Sequence, residues 1–589
     1  MTLEAWFVIA VVCLCFGLLA TNRFSPDLVL MAGLTLLLVS GIISPGEALS
    51  GFSNEGMITV AVLYAVISGF RETGGINWIV QTVLGRPRSL AHAQLKMMTP
   101  VAALSAFLNN TPVVAVFIPA IDDWAKRHRL SVSKLMLPLS YAAIAGGTCT
   151  LIGSSTNLVI NGLLVSESDH SSFGIFDLAY IGLPITLTVF LYVLLAQRWL
   201  LPERRPFTGS VADARRYTVE MMIEADSPLA GKSIEQAGLR QLPGLYLVEI
   251  EREGHALTAV SPHEILQEND QLVFAGIVDS VVDLQRIKGL KPATNQVFKL
   301  DSPREERCLT EAVISNRSPV IGKTVRNGRF RNIYNAAIIA VARDGEKIDS
   351  KIGDIKLRAG DTLLLVSQAS FAEQQRNSRD FYLVSSLNDA RDVRHERAPL
   401  AIAILGLMVA TVALGLLSML KAAMLAAGLM IVSRCTSGRI ARRSLDWQVL
   451  VVIGASFGIA SALHSSGAAP AVAHWLVSCA QSEPIASLAT IFAVTALLSA
   501  LATNNAAAVI MFPIALSTAN DLGVSFLPFA VTIMMAASAS FATPIGYQTN
   551  LMVYGAGGYR FKDYLNFGLP LTLLVGLVTL VIVPQIWSL

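Results

Sequence analysis

Long apolar runs separated by short polar breaks fill both ends of this chain, and the pattern changes abruptly in the middle. Stretches able to cross a hydrocarbon layer of about 30 Å lie near 4–20, 27–43, 57–70, 135–165 and 177–200. A second set lies near 399–418, 421–433, 447–464, 525–556 and 564–587. The middle instead carries short alternating runs, such as Leu245-Tyr-Leu-Val-Glu-Ile250 and Ala337-Ile-Ile-Ala-Val341, which predict strands. Charge follows the same division: of 45 basic and 42 acidic side chains, 56 fall within 201–400. A single soluble globule, a disordered chain and a nucleic-acid binder are thereby excluded, and a formal net charge of +3 does not call for a polyanionic partner. The pattern is that of a membrane protein with a soluble insert. The first apolar run has no basic region before it and continues into a second run, so it is expected to be a retained span rather than a cleaved signal. Six scattered cysteines form no CxxC pair and no Cys/His cluster, so neither a zinc site nor a disulfide framework is indicated.

Two further apolar runs, 97–121 and 487–518, carry polar triplets at their midpoints, Asn109-Asn110-Thr111 and Thr503-Asn504-Asn505. A straight lipid-facing helix would not hold them, because an unsatisfied polar group in hydrocarbon costs several kcal/mol. Either they form a polar seam between packed helices, or pairs of half-helices meet tip to tip inside the protein. An internal repeat favours the second reading. Asn110-Thr-Pro-Val-Val-Ala-Val-Phe-Ile-Pro119 aligns with Asn504-Asn-Ala-Ala-Ala-Val-Ile-Met-Phe-Pro513, and Ser105 with Ser499, an offset of 394. Gly153-Ser-Ser-Thr-Asn157 aligns with Gly546-Tyr-Gln-Thr-Asn550 at an offset of 393. Phe176-Asp177 through Pro184 likewise matches Lys562-Asp563 through Pro570.

Loop charge orients the copies. Arg86, Arg88, Lys96, Lys126, Arg127, Arg129 and Lys134 flank the first polar run, while the loops near 479–486 and 519–525 have no Lys or Arg. The bias then reverses: 166–172 holds Glu167 and Asp169 without a cation, and its counterpart near 558–563 holds Arg560 and Lys562. Equivalent loops are therefore expected on opposite sides, as inverted repeats with two opposed re-entrant hairpins. The segments 146–157 and 540–550, dense in Gly, Pro, Ser and Thr, read as spans broken at mid-membrane, the pattern of a transporter binding site.

Each tip ends one half-helix and starts another. Helix N-termini attract anions, while carbonyl, amide and hydroxyl oxygens suit a sodium ion. The deep segments 97–121, 141–164, 491–518 and 530–557 contain no Lys, Arg, Asp or Glu. Proton-driven carriers usually place a titratable group there, so sodium coupling is expected.

The paired triplets, the paired Gly-x-x-Thr-Asn segments and the opposed halves resemble the divalent anion:sodium symporter family of the ion-transporter superfamily, over roughly 390 residues. The family's Ser-Asn-Thr triplet stands here as Asn109-Asn110-Thr111 and Thr503-Asn504-Asn505. Its Pro-Pro-Asn endings stand as Ser155-Thr156-Asn157 and Gln548-Thr549-Asn550, closer to the branch with inserted regulatory domains that is associated with sulfate and related inorganic anions. The resemblance implies about two sodium sites. The first would use Ser105, Asn109, Asn110 and the backbone at Cys149 and Gly153; the second would use Ser499, Ala502, Asn504 and the backbone at Gly546. Substrate oxygens would meet Asn110, Thr111, Asn504, Asn505, Ser154 and Tyr547, with Thr156, Asn157, Thr549 and Asn550 behind them.

The insert holds a tandem repeat at an offset of 91. Ser227-Pro-Leu-Ala-Gly-Lys-Ser233 matches Ser318-Pro-Val-Ile-Gly-Lys-Thr324, Arg252-Glu-Gly254 matches Arg343-Asp-Gly345, and Asp270-Gln-Leu-Val-Phe274 matches Asp361-Thr-Leu-Leu-Leu365. Gly254 and Gly345 are expected at hairpin turns. The Gly-Lys-Ser and Gly-Lys-Thr triplets are not phosphate loops, since the earlier glycine is replaced by Asp226 and Arg317. The unit is similar to the TrkA-C (RCK C-terminal) domain, a regulatory module of cation channels and transporters, and its position after Arg198, Arg204 and Arg205 predicts a cytoplasmic location.

The expected architecture is an α-helical polytopic membrane protein with a cytoplasmic α/β insert. Its segments are a first membrane repeat (1–205), two TrkA-C-like domains (206–300 and 301–397) and an inverted second repeat (398–589). The function read from it is sodium-coupled symport of a small inorganic or organic anion, sulfate foremost, by a homodimer of the plasma (inner) membrane, with a small cytoplasmic ligand on the insert as a potential regulator. Sodium/dicarboxylate symport, a ligand-gated channel and an antiporter are the alternatives. No Ser/His/Asp, Cys/His or metal arrangement points to an enzyme, and no catalytic residue is assigned.

Overall fold

The computed structural model describes residues 2–589 apart from 21–24, 74–83, 129, 168–171, 204–217, 240–241, 243–244, 253–254, 259, 261–262, 277–286, 293–307, 316–317, 344–345, 349, 351, 368–370, 372–374, 376–377, 379, 387–396, 481–482, 502 and 545. Two compact units separate. One comprises Met1–Glu203, Asp392–Val553 and Arg560–Leu589, the other Arg204–Arg391 with Tyr554–Tyr559.

The described part of the first unit is helical. Its first half runs through α1 (Leu3–Ala20), α2 (Pro26–Val39), α3 (Pro45–Leu49), α4 (Glu55–Glu72), α5 (Leu90–Ser105), α6 (Asn110–Arg127), α7 (Ser133–Gly147), α8 (Ser155–Glu167) and α9 (Ala179–Ala196). After α10 (Phe330–Tyr334) of the insert come α11 (Ala398–Ala413), α12 (Met419–Val432), α13 (Gly438–Ser444), α14 (Trp447–Ser465) and α15 (Ala468–Cys479). The chain closes with α16 (Pro484–Leu501), α17 (Asn504–Leu522), α18 (Leu527–Ser538), α19 (Gln548–Ala556) and α20 (Phe561–Ile586). Among the described residues, four helical stretches, Pro45–Glu72, Ala179–Ala196, Trp447–Ser465 and Phe561–Ile586, are long and apolar enough to cross a membrane.

Outer helices show what they face. Leu183, Leu187, Leu191 and Leu195 of α9 are exposed at four-residue spacing, as are Leu565, Leu569, Leu573, Leu577 and Val581 of α20. An exposed apolar row on one helix face suits hydrocarbon rather than water. By contrast α7 is buried from Leu135 to Gly147, and α18 from Pro528 to Ser538. Helices buried on every side form the core, so the ends of α7 and α18 deliver the chain breaks into the protein interior.

The apolar runs at 97–121 and 487–518 are each interrupted at their polar triplets. Asn109 caps α6, its side-chain oxygen accepting from the Thr111 amide at 3.4 Å, and Thr503 caps α17 through the Ala506 amide at 3.4 Å. Runs 135–165 and 525–556 break as well, between α7 and α8 and between α18 and α19. Helix α15 lies outside every apolar run read from the pattern. Its twelve residues include Pro470, His474 and Ser478, and it is too short to span.

In the described residues of the second unit, strands dominate. β1 (Thr218–Ile223), β2 (Leu245–Arg252), β3 (His255–Thr258), β4 (Gln271–Gly276) and β5 (Leu290–Pro292) form one antiparallel sheet in the order β3-β2-β4-β1-β5. β6 (Cys308–Ile314), β7 (Ala336–Arg343), β8 (Glu346–Lys347), β9 (Thr362–Ser367) and β10 (Phe381–Ser386) form a second in the order β10-β6-β9-β7-β8, the same topology. Registers repeat at the offset of 91: Met221 pairs with Leu272 and Ala312 with Leu363, and both second strands bulge at the same place, after Leu247 and after Ile338. Gly231 and Gly322 take matching left-handed φ values of 78° and 76°. Arg252 grips the buried Asp270 through Nε (2.8 Å) and Nη2 (2.9 Å), and Arg343 grips the buried Asp361 through both atoms at 2.7 Å. Burial lifts the Asp361 carboxyl above its usual range, against the pull of Arg343 and the Arg358 amide. The only described α-helix of the insert is α10, and the turn glycines Gly254 and Gly345 lie outside the described residues.

Candidate functional site

The two interrupted runs carry one arrangement twice. At the end of α5, Ser105 Oγ donates to Asn110 Oδ1 at 2.5 Å; in the last turn of α16, Ser499 Oγ lies 2.9 Å from Asn504 Oδ1 and 2.7 Å from both the Ala537 carbonyl and Ser540 Oγ. The unwound segments, 148–154 and 539–547 without 545, are also built alike. Thr150 Oγ1 bonds the Ala106 carbonyl and accepts from the Gly153 amide (3.2 Å), as Thr543 Oγ1 bonds the Ala500 carbonyl (3.4 Å) and accepts from the Gly546 amide (3.1 Å). Asn157 Nδ2 donates to the Gly147 and Thr150 carbonyls at 3.4 and 3.0 Å; Asn550 Nδ2 donates to those of Ser540 and Thr543 at 2.8 and 3.0 Å.

Glycine is required where segment and tip meet. A Cβ on Gly153 would sit 2.8 Å from the Ser105 carbonyl oxygen, one on Gly546 would sit 3.2 Å from that of Ser499, and one on Gly147 would sit 2.6 Å from Asn110 Oδ1. The backbones therefore approach so closely that hydroxyl, amide and carbonyl oxygens crowd together at each tip. Such hard, neutral oxygens are the ligand type that alkali and alkaline-earth cations take.

Each tip also crosses to the other half. Asn110 Nδ2 donates to Tyr547 Oη at 2.6 Å, and Ser154 and Asn504 lie beside that hydroxyl. Thr111 Oγ1 donates to Gln548 Oε1 at 3.1 Å. In the mirrored contact, Asn505 Nδ2 donates to Ser155 Oγ at 3.2 Å while Thr156 Oγ1 donates to Asn505 Oδ1 at 2.9 Å. Asn110 and Asn504 are the first residues of α6 and α17, Ser154 precedes α8, and Tyr547 precedes α19. Four helix starts thus meet at one phenolic hydroxyl. Their amides and partial positive ends favour an anion there without any fixed cation.

The remaining expected residues are placed as follows. Asn109 caps α6 and lines a small cleft with Val60, Tyr64, Ile67, Phe107 and Ser155. The Cys149 thiol turns toward Thr186 Oγ1 at 3.2 Å, leaving its backbone in the unwound segment. Thr549 and Asn550 are buried and bonded by Ser140, at 2.8 and 2.7 Å. Ala502 lies outside the described residues. The sequence reading overlooked Thr150, Thr543, Gln548 and Ser140. The first pair could have been found, because the two threonines align at the same offset of 393; Ser140 has no such signal.

A family model described as a citrate transporter matches residues 16–497 and 464–588. A protein of Chlamydomonas reinhardtii, named for regulating the response to sulfur deprivation, is 36% identical over 576 residues, covering 94% of this chain and 97% of its own. An uncharacterized transporter of Synechocystis sp. is 33% identical, covering 94% and 92%. Sodium/sulfate cotransporter 2 of Chlamydomonas reinhardtii is 28% identical, covering 95% and 87%.

Proposed function

We propose that this chain, which belongs to the citrate transporter family, is a sodium-coupled symporter that imports a small divalent anion, sulfate foremost, by alternating access. The family makes it an integral, multi-pass membrane transporter rather than an enzyme. The observation that carries the finer reading is the meeting of four helix starts at the Tyr547 hydroxyl, between two tips lined by neutral oxygens. In this reading the anion sits against Asn110, Thr111, Ser154, Asn504, Asn505 and Tyr547. Thr156, Asn157, Thr549 and Asn550 support it. One sodium ion takes Ser105, Asn109, Asn110 and the backbone of Cys149 and Gly153; another takes Ser499, Ala502, Asn504 and the backbone of Gly546. The name of a sodium/sulfate cotransporter among the relatives supports both the coupling ion and the anion.

The same proposal reads the two membrane halves as inverted repeats with opposed re-entrant hairpins, which the mirrored hydrogen bonds and the reversed loop charges support. The insert is read as two cytoplasmic TrkA-C-like domains that regulate transport, and the working unit as a homodimer in the plasma membrane. A second reading, a sodium/citrate or dicarboxylate symporter, is favoured by the description of the matched family. Uptake of labelled sulfate, succinate, citrate and chloride into proteoliposomes, each with and without a sodium gradient, tests these readings. Sodium-dependent, saturable sulfate uptake supports the first, and preference for citrate or succinate supports the second. Uptake of none of them under a sodium gradient overturns both.

A further inference from the structure

The hydrogen bonds that the two unwound segments share do not hold them equally. The first segment is tied from outside at its middle, where the Leu151 amide donates to the Ile175 carbonyl at 3.0 Å, and the second is tied at both ends. At its start, Tyr141 Oη of α7 donates to the Phe541 carbonyl at 2.7 Å. At its exit, Ser140 Oγ of the same helix lies 2.8 Å from Thr549 Oγ1 and 2.7 Å from Asn550 Oδ1, while Tyr564 Oη of α20 donates to the Asn550 carbonyl at 2.7 Å. Ser140, Tyr141 and Tyr564 are all fully buried, so these bonds face no competition from water. The positions that correspond are Ile533 and Met534 of the second half and Leu178 of the first, which have no hydroxyl to offer. The consequence is visible at Asn157. Its Oδ1 is buried and, among the described residues, has no hydrogen-bond partner, whereas the matching oxygen of Asn550 is satisfied by Ser140. An orphaned buried oxygen carries a free-energy cost that its partnered twin avoids.

We propose that Ser140 and Tyr141 are positioning residues that pin the second unwound segment, and with it Thr549 and Asn550, while the exit of the first segment, at Asn157, is left without such a clamp. The exit of the second segment is then pre-formed, and the Asn157 end of the first orders when the ion or anion arrives. The uptake consequence rests on the proposed symport; the structural one does not.

The test exploits a natural pair of probes. Cys149 in the first segment corresponds to the half-buried Ala542 in the second. In a background without other cysteines, maleimide labelling of Cys149 and of Ala542→Cys reports the opening of each segment. Ser140→Ala is expected to raise labelling of Ala542→Cys about fivefold, the scale of one lost net hydrogen bond, and to leave Cys149 unchanged. Tyr141→Phe is expected to act in the same direction, and Ser140→Thr, which keeps the hydroxyl, to label slower than Ser140→Ala. In uptake, Ser140→Ala is expected to raise the half-saturating sodium concentration by a similar factor with little change in maximal rate. No rise at Ala542→Cys with either variant, or an equal rise at Cys149, overturns the inference. Uptake that ignores sodium overturns the symport reading instead, and the labelling still decides this one.

Discussion

Asn110 uses both ends of a buried amide: Oδ1 accepts from Ser105 in its own half, and Nδ2 donates to Tyr547 in the other. Asn504 pairs with Ser499 in the same way and also reaches Tyr547. Truncating either side chain removes an oxygen from a tip and a partner from the shared hydroxyl. Asn110→Ala and Asn504→Ala proteins that reach the membrane are expected to need about tenfold or more sodium for half-maximal uptake, the scale of a lost bond to a charged group. Sodium titration of uptake, normalised to surface expression, measures it; an unchanged requirement in both variants removes these residues from the ion sites. Residue identity alone made the tips legible, since an Asn-rich triplet inside an apolar run is tolerated only where surrounding protein satisfies its amides. The partners across the halves were not legible. Ser140 and Asn550 are 410 positions apart, and no periodicity links a serine on a buried helix to the break it supports.

Among the elements, the paired breaks and the paired sheets carry most of the account. Helix limits followed the apolar runs where no break interrupts them, as in α1, α9 and α20. They failed at α15, where Pro470 and the polar residues of a twelve-residue helix dilute the pattern and tertiary packing supplies what hydropathy does not. The insert repeats its ion pair with its fold. Arg343→Ala would leave Asp361 buried without its guanidinium, at a cost of about 3 kcal/mol. Because burial already lifts the Asp361 carboxyl, its folded pKa lies above the unfolded one. Its contribution is then fully present below the unfolded pKa and is lost as pH rises through the folded value. The deficit of Arg343→Ala, measured by thermal unfolding of the detergent-purified protein, is therefore expected to be larger at about pH 7.5 than at about pH 5. An equal deficit at both would show that the carboxylate charge is not what the arginine offsets. The orientation of the membrane halves has its own test. A cysteine at Ser168 is expected to react with an impermeant thiol reagent from outside, and one at His128 from inside only. Labelling of both from one side would end the inverted-repeat reading.

For the whole molecule, the candidate site is composed entirely of residues from the helical unit. If the insert regulates, replacing 207–397 with a flexible linker is expected to change uptake kinetics while preserving sodium and sulfate binding. Allosteric coupling of about 1–3 kcal/mol corresponds to shifts of about 5- to 150-fold in apparent affinity. Loss of all binding in a well-inserted deletion would show that the insert helps to build the site. The central claim is that two neutral, oxygen-lined tips couple an anion to sodium with no carboxylate or basic side chain in the deep segments. Its most direct test is accumulation of radiolabelled sulfate in proteoliposomes under an inward sodium gradient, compared with an inward proton gradient at equal sodium. The account predicts accumulation above the external concentration with sodium alone and none with protons alone; accumulation driven by the proton gradient would contradict it.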